Sequence, residues 1–455
     1  MPPRSSRRSN GARRAVAVLA VLAVGALGFG AGYLVFDEPE QEAPPAPAAA
    51  PAVIIEEGSP AAEPEREAAD RIGFPAFATR NTTRVGGADP IADAAGVALA
   101  SYPSLGGVEA PQAVIIAPAD SWQAGLAATP LSADPVAAPV LLSDAEAVPS
   151  LTIDALQALA PAGLEAMDGA QVIAVGGAAA PDGLETLEIE RSDPAEIAAV
   201  VDRRREKLTG QEDPDHLLVV SSRDEDAGLS MPAAAWAARS GDPVLFAAGE
   251  EVPEATLKVV ARHPKTPIYV LGPDSAVSAK ALGKLDREGA KPTRISGEDP
   301  VSNAIEFARF VDGDFGWNIN DPGHGFVIAN EERPTDAVAA APLAAGGKPG
   351  PLLITDDAEE IPAELRGFLL DTKPGFEDDP ARAVYNHVWL LGDPTAISVP
   401  FQAQVDELTK LVPIEAGTAG PNFGPGPGPE AEAEPGGGSS RDDSGKGGGD
   451  PGGDR

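Results

Sequence analysis

The chain has 455 residues, no cysteine and a formal charge of −36. That length is too great for one ordinary hydrophobic core, so several domains are expected. The missing cysteines exclude disulfides, thiolate metal sites and cysteine nucleophiles, and the acidity opposes bulk-charge binding to nucleic acid or an anionic membrane.

Charge is unevenly spread. Residues 1–14 hold five arginines and no acid, and all 70 Asp and Glu lie after position 36. Between them, residues 15–36 run from Ala15 to Phe36 without a charge. At 1.5 Å per residue a helix of that length spans about 33 Å, enough for a hydrocarbon core of about 30 Å. Arginines before the run and acids after it predict a single-pass transmembrane helix, N-terminus inside, with the remainder extracytoplasmic at the cell membrane. A cleaved signal peptide stays open as the alternative, although "DEPEQE" and not a small-x-small site follows directly. Residues 37–80 are rich in Pro, Ala and Glu and read as a disordered spacer, and 417–455 as a disordered Gly/Pro/Asp tail.

Between these flanks, short apolar runs alternate with stretches of helical period. "AVIIAP" (113–118), "PVLLSD" (139–144) and "AQVIAVGG" (170–177) read as strands, with "WQAGLAATPLSA" and "SLTIDALQALA" as the helices between them. The same order recurs in "HLLVVSS" (216–222), "DPVLFAAG" (242–249) and "PIYVLGP" (267–273), and again in "GFVIAN" (325–330), "GPLLITDD" (350–357) and "HVWLLGD" (387–393). Continuous apolar strands alternating with helices indicate βαβ units and a buried parallel sheet. Each set is preceded by an Asp-Pro phrase: "RVGGADP" from Arg84, "RSDP" from Arg191 and "RISGEDP" from Arg294. Asp89, Asp193 and Asp299 lie 104 and then 106 residues apart. Two near-equal steps between three phrases predict three tandem copies of one Rossmann-like or flavodoxin-like α/β unit, at 81–190, 191–293 and 294–416.

These phrases resemble the cell-wall-binding repeat 2 family of Gram-positive bacteria. The third copy carries the resemblance best, in "RISGEDP", "TDAVAAAPLAAG" and "PLLIT"; the first gives "RVGGADP", "QAGLAATPLSA" and "PVLLSD", and the second keeps "DAGLSMPAAA" and "PVLF". All three copies have Asp-Pro where the family continues into a different helix start, and the Asp of its Asp-Ala phrase, kept at Asp226 and Asp336, is Gln123 in the first copy. The resemblance implies three repeats packed as an intramolecular pseudo-trimer that binds an anionic cell-wall polymer. It carries polymer-binding roles onto Asp226 and Asp336, and onto the Pro-Leu-Leu phrases at Pro139, Leu141, Leu142, Pro243, Leu245, Pro351, Leu352 and Leu353. Read from the residues alone, those phrases are central parallel strands preceded by proline, a packing feature.

Arg84, Arg191 and Arg294 are the natural anion-binding candidates, since guanidinium grips phosphate or carboxylate in a bidentate manner. The competing reading pairs each arginine with a nearby Asp and has it fix a joint between repeats. No GxSxG, P-loop or HExxH spacing occurs in the folded part, and the four histidines are too dispersed to name a site. No enzyme, metal or cofactor is expected. A binding module for a small solute or a protein partner, and a wall amidase or hydrolase, are the rival readings.

Overall fold

The computed structural model describes residues 77–102, 110–286, 291–345 and 350–414. The charge-free run at 15–36, nearly all of the spacer and the tail lie outside the described residues. Among the described residues no helix is long and apolar enough to cross a membrane.

The described chain begins with an antiparallel pair, β1 (Phe77–Ala78) and β2 (Thr82–Val85), then helix α1 (Pro90–Ser101). The first sheet follows as β3 (Val114–Pro118), β4 (Val140–Ser143), β5 (Val172–Val175) and β6 (Thr186–Ile189), with α2 (Trp122–Ala128) and α3 (Ser150–Leu159) between strands. Its order is β4-β3-β5-β6 and every pairing is parallel. After α4 (Pro194–Thr209) the second sheet contains β7 (Leu217–Ser221), β8 (Val244–Ala247), β9 (Ile268–Leu271) and β10 (Thr293–Ile295). Its helices are α5 (Ala227–Ser230), α6 (Pro232–Ser240), α7 (Glu254–Arg262) and α8 (Ala279–Leu285), and its strand order is β8-β7-β9-β10. The third set opens with α9 (Pro300–Arg309) and runs through β11 (Gly325–Asn330), α10 (Thr335–Ala340), α11 (Pro342–Ala345), β12 (Leu352–Thr355) and α12 (Ala363–Asp371). It ends with β13 (Gly375–Phe376), β14 (His387–Leu391), α13 (Val399–Leu408) and β15 (Val412–Pro413).

The third sheet has the order β12-β11-β14-β2-β1. Thus β2, which opens the first copy in sequence, pairs in parallel with β14 of the last. The same displacement occurs inside the chain: β6 and β10, which precede the second and third Asp-Pro caps as β2 precedes the first, complete the sheets of the first and second. The second copy thus opens with β6, ahead of the expected bound at 191. Each sheet therefore takes its fourth parallel strand from the copy that follows, and the last takes it from the first.

Local chemistry explains why the helices start where they do. Asp89, Asp193 and Asp299 are N-caps with proline at the first helical position, and each carboxylate accepts a backbone N–H from the first turn. At Asp299 the cap is reciprocal, because the Ser302 hydroxyl accepts from the Asp299 N–H at 3.1 Å. These three helices also make the joints: α1 packs on α10, α4 on α2 and α9 on α5. They shield β4, β8 and β12 as well. Those three Pro-Leu-type strands stand at sheet edges, not at centres as the apolar runs suggest. An edge covered by a helix is as dry as a centre, and a proline just before it costs no ladder bond.

Candidate functional site

The joints place equivalent positions of the three copies at corners near the carboxyl ends of the strands, where ligands of open α/β sheets gather. Where the third copy meets the first, Arg333 lies between two fully buried carboxylates, Asp336 on α10 and Asp93 on α1. Its Nε is 2.9 Å from Asp336 Oδ2, and its Nη2 pairs with Asp93 Oδ2. The other Asp93 oxygen accepts the Gly87 N–H at 2.6 Å. Two buried carboxylates against one guanidinium leave a negative excess in a dry site. Burial, and then the Asp336 charge, pushes Asp93 well above the usual carboxylate range. Asp336 is pushed up to about 6, chiefly by burial, with Arg333 opposing.

Where the second copy meets the third, Arg223 and Asp226 repeat the Arg-x-x-Asp spacing, with Nε to Oδ2 at 2.7 Å. The counterpart of Asp93 is Asn303, three residues past the helix-opening proline. Its Oδ1 accepts the Gly297 N–H at 3.1 Å and its Nδ2 donates to the Leu229 carbonyl at 2.9 Å. A neutral amide makes the joint without an excess charge. Where the first copy meets the second, the ionic set is gone. Asp120, Gln123 and buried Ile197 occupy the three positions. Gln123 Nε2 donates to Asp224 Oδ1 at 2.8 Å and to the Ser222 carbonyl at 3.1 Å.

The three repeat-opening arginines have three different fates. Arg84 is 1% exposed, and its guanidinium donates to Gln402 Oε1 at 3.1 Å and to the carbonyls of Gly392, Asp393 and Ser398 at 2.8, 3.0 and 3.4 Å. No face of it is left for a polymer. Arg294, half-buried, donates to the carbonyls of Gly272 and Val277, each at 2.5 Å. Arg191 is exposed and lies outside any strand, 3.4 Å from Glu196. Strand register shows that it is not the counterpart of the other two. Arg84 pairs opposite Leu390 and Arg294 opposite Val270, whereas the matching place opposite Ala174 is Glu188. The spacing carried that signal: Arg84, Glu188 and Arg294 each stand five residues before the capping aspartate.

The structure brings Asp226 and Asp336 to the corners, each beside an arginine that the sequence reading did not single out, and brings in Asp93 and Asn303, which it also missed. Pro139, Leu141, Leu142, Pro243, Leu245, Pro351, Leu352 and Leu353 are all buried, so their side chains pack and present no surface to a polymer. The histidines are dispersed. His216 lies 3.2 Å from Asp242, His324 3.1 Å from Asp321, His387 3.0 Å from the Thr83 hydroxyl, and His263 2.8 Å from Asp213. Among the described residues no three His, Asp or Glu side chains are grouped to hold a metal.

Residues 294–401 match the family described as Cell wall binding domain 2 (CWB2). No curated protein matches the chain in sequence. Among solved structures it is similar to Cwp6 from Clostridium difficile, with 18% identity and a TM-score of 0.56, over 72% of this chain and 47% of that one. It is likewise similar to Cwp8 from Clostridium difficile, with 18% identity and a TM-score of 0.54, over 73% of this chain and 52% of that one. The chain therefore spans about half the length of these neighbours, and what it shares with them at this identity is the fold. Residues 294–401 are thus the segment of this chain that matches the CWB2 family.

Proposed function

We propose that this is a non-catalytic, extracytoplasmic envelope protein that binds an anionic cell-wall polymer through three α/β repeats packed about a pseudo-threefold axis. The observation that carries the reading is the CWB2 match over 294–401. The sequential exchange of opening strands, with β2 of the first copy in the sheet of the third, supports a closed ring of repeats at 81–190, 191–293 and 294–416. The run at 15–36 would hold this ring at the cell membrane, or release it to the wall if cleaved. The polymer would meet loops at the strand ends, because the corner arginines already serve internal carboxylates and carbonyls.

Sedimentation with purified cell walls tests the reading. The chain is expected to pellet with intact walls and to stay in solution with walls stripped of anionic polymers. Equal partitioning to both, or to neither, would overturn it. The internal saturation of the corner cations favours a second reading, a module on the same scaffold for a small solute or a protein partner, and recovery with neither kind of wall would point there.

A further inference from the structure

We propose that the groove between α4 and α7, in the second repeat, is a binding site for a phosphate-bearing polyanion. The inference deepens the wall-polymer reading and rests on it for the source of the ligand. The groove encloses about 400 Å³ and has an alanine and valine floor. Arg191, Arg203, Lys258 and Arg262 line it against Glu196 and Glu254. Cations outnumber carboxylates there two to one, in a chain where acids outnumber Lys and Arg by 70 to 34.

The existing pairings leave most of this charge available. Arg191–Glu196 at 3.4 Å and Lys258–Glu254 at 2.8 Å join side chains that are all more than half exposed, and such pairs are worth little in water. Only Arg262 is committed, to the fully buried Asp202. Arg203 is exposed and takes part in no ion pair among the described residues. An incoming phosphate chain can displace the two glutamates at small cost, while the apolar floor accepts the faces of a sugar backbone.

The other two repeats supply an internal comparison. The corresponding helices of the first, α1 and α3, contain no Lys or Arg at all. The corresponding groove of the third, between α9 and α12, is lined by Glu306, Glu364 and Asp371 with one cation, Arg309, which is bonded to Asp371 at 2.6 Å. Only the second repeat turns the groove basic. It is also the copy with Glu188 at the register position of Arg84 and Arg294, while Arg191, outside any strand, lines the groove.

The test uses the purified chain and long-chain inorganic polyphosphate as probe, comparing wild type with Arg203→Gln/Lys258→Gln. A Lys280→Gln/Lys410→Gln variant carries the same change in total charge elsewhere. All four residues are exposed, so the three proteins should melt within about 2 °C of one another. The groove variant is expected to bind polyphosphate at least about tenfold more weakly at low salt, with a log–log salt slope smaller by about two counterions, and the control to bind as wild type. Wild type that ignores polyphosphate, or a groove variant that binds it equally, overturns the proposal. Wall sedimentation separates the two readings. If wild type and groove variant pellet equally with walls, the wall reading stands and the groove assignment falls. If wild type fails to pellet but polyphosphate binding is lost in the groove variant alone, the anion site stands and the wall reading falls.

Discussion

Replacing Arg84 with alanine should damage the closure of the third sheet far more than the same change at Arg191. Arg84 makes four hydrogen bonds from a fully buried position, to Gln402 and to the carbonyls of Gly392, Asp393 and Ser398. At about 1.5–3 kcal/mol per charged hydrogen bond the gross loss is roughly 6–12 kcal/mol. Several kcal/mol return because the guanidinium no longer has to be stripped of water, so the net cost is about 3–5 kcal/mol, as when one partner of a buried ionic contact is removed. At about 2 °C per kcal/mol for a domain of this size, the melting temperature should fall by roughly 6–10 °C. Arg294→Ala removes two carbonyl contacts from a half-buried side chain and should cost less, on the order of 1–3 kcal/mol. Arg191→Ala breaks one exposed pair and should stay within about 0.5 kcal/mol. Calorimetry on the three variants reads the order directly. If Arg191→Ala cost as much as Arg84→Ala, the register argument that separates the two arginines would be wrong.

Three further outcomes follow from the same geometry. Asp93 and Asp336 both have raised pKa values, so their contribution is complete below about pH 4 and is lost as the pH rises, for Asp336 through about 6. Acidification from pH 7.5 to 5 should thus tighten this joint, and Asp93→Asn, which installs the residue type found at position 303, should shrink that gain in melting temperature; an unchanged gain would refute the buried-proton account. Gly297→Ala would place a methyl carbon 2.2 Å from the Asn303 nitrogen and 2.4 Å from the Ser302 carbonyl carbon, and backbone atoms cannot step aside. A loss of at least about 1–3 kcal/mol in urea unfolding is expected, and a neutral result would mean that this corner is looser than drawn. The histidines should titrate on opposite sides of 6.5 by NMR. His263 falls below because of burial, while at His216 burial is outweighed by the hydrogen bond and charge of Asp242, and a midpoint on the wrong side for either would contradict its contacts.

Much of the fold is legible in the sequence, because continuous apolar runs and Asp-Pro caps are local signals. "VIIAP", "LLVVS" and "GFVIAN" became the inner strands β3, β7 and β11. What was not legible is ownership. Nothing in "TTRV" says that it joins a strand some three hundred residues away, since the pairing of β2 with β14 is decided by packing. Edge and centre were confused for a related reason: "VLLS" is equally apolar in either place once a helix from the next joint covers it. The Arg191 equivalence failed differently. Matching the first letter of each phrase ignored the distance to the cap, and the constant spacing of five residues points to Glu188. The basic groove was invisible because its cations come from helices some fifty residues apart and face one another only after the second sheet forms.

The three joints also show how one copy can drift without loosening the assembly. An Arg-Asp-Asp set, an Arg-Asp-Asn set and a Gln-Ile set occupy the same place. Removing one member of a buried ionic set is expensive, because it strands a desolvated charge, whereas exchanging the whole set for apolar and neutral groups is often neutral or better. The first joint has exchanged its buried members: Gln123 and Ile197 stand where the aspartate and the third polar group stand elsewhere, the arginine's place is taken by Asp120 exposed to solvent, and no orphan remains at Gln123 or Ile197. The joint of the third copy with the first remains the costly one, since it retains both carboxylates with a single guanidinium and needs a proton to balance them. The second copy, with Ile197 in its joint and Glu188 in its strand, no longer uses an opening arginine for closure. Its cations are therefore free to face outward, and Arg191, Arg203 and Lys258 do.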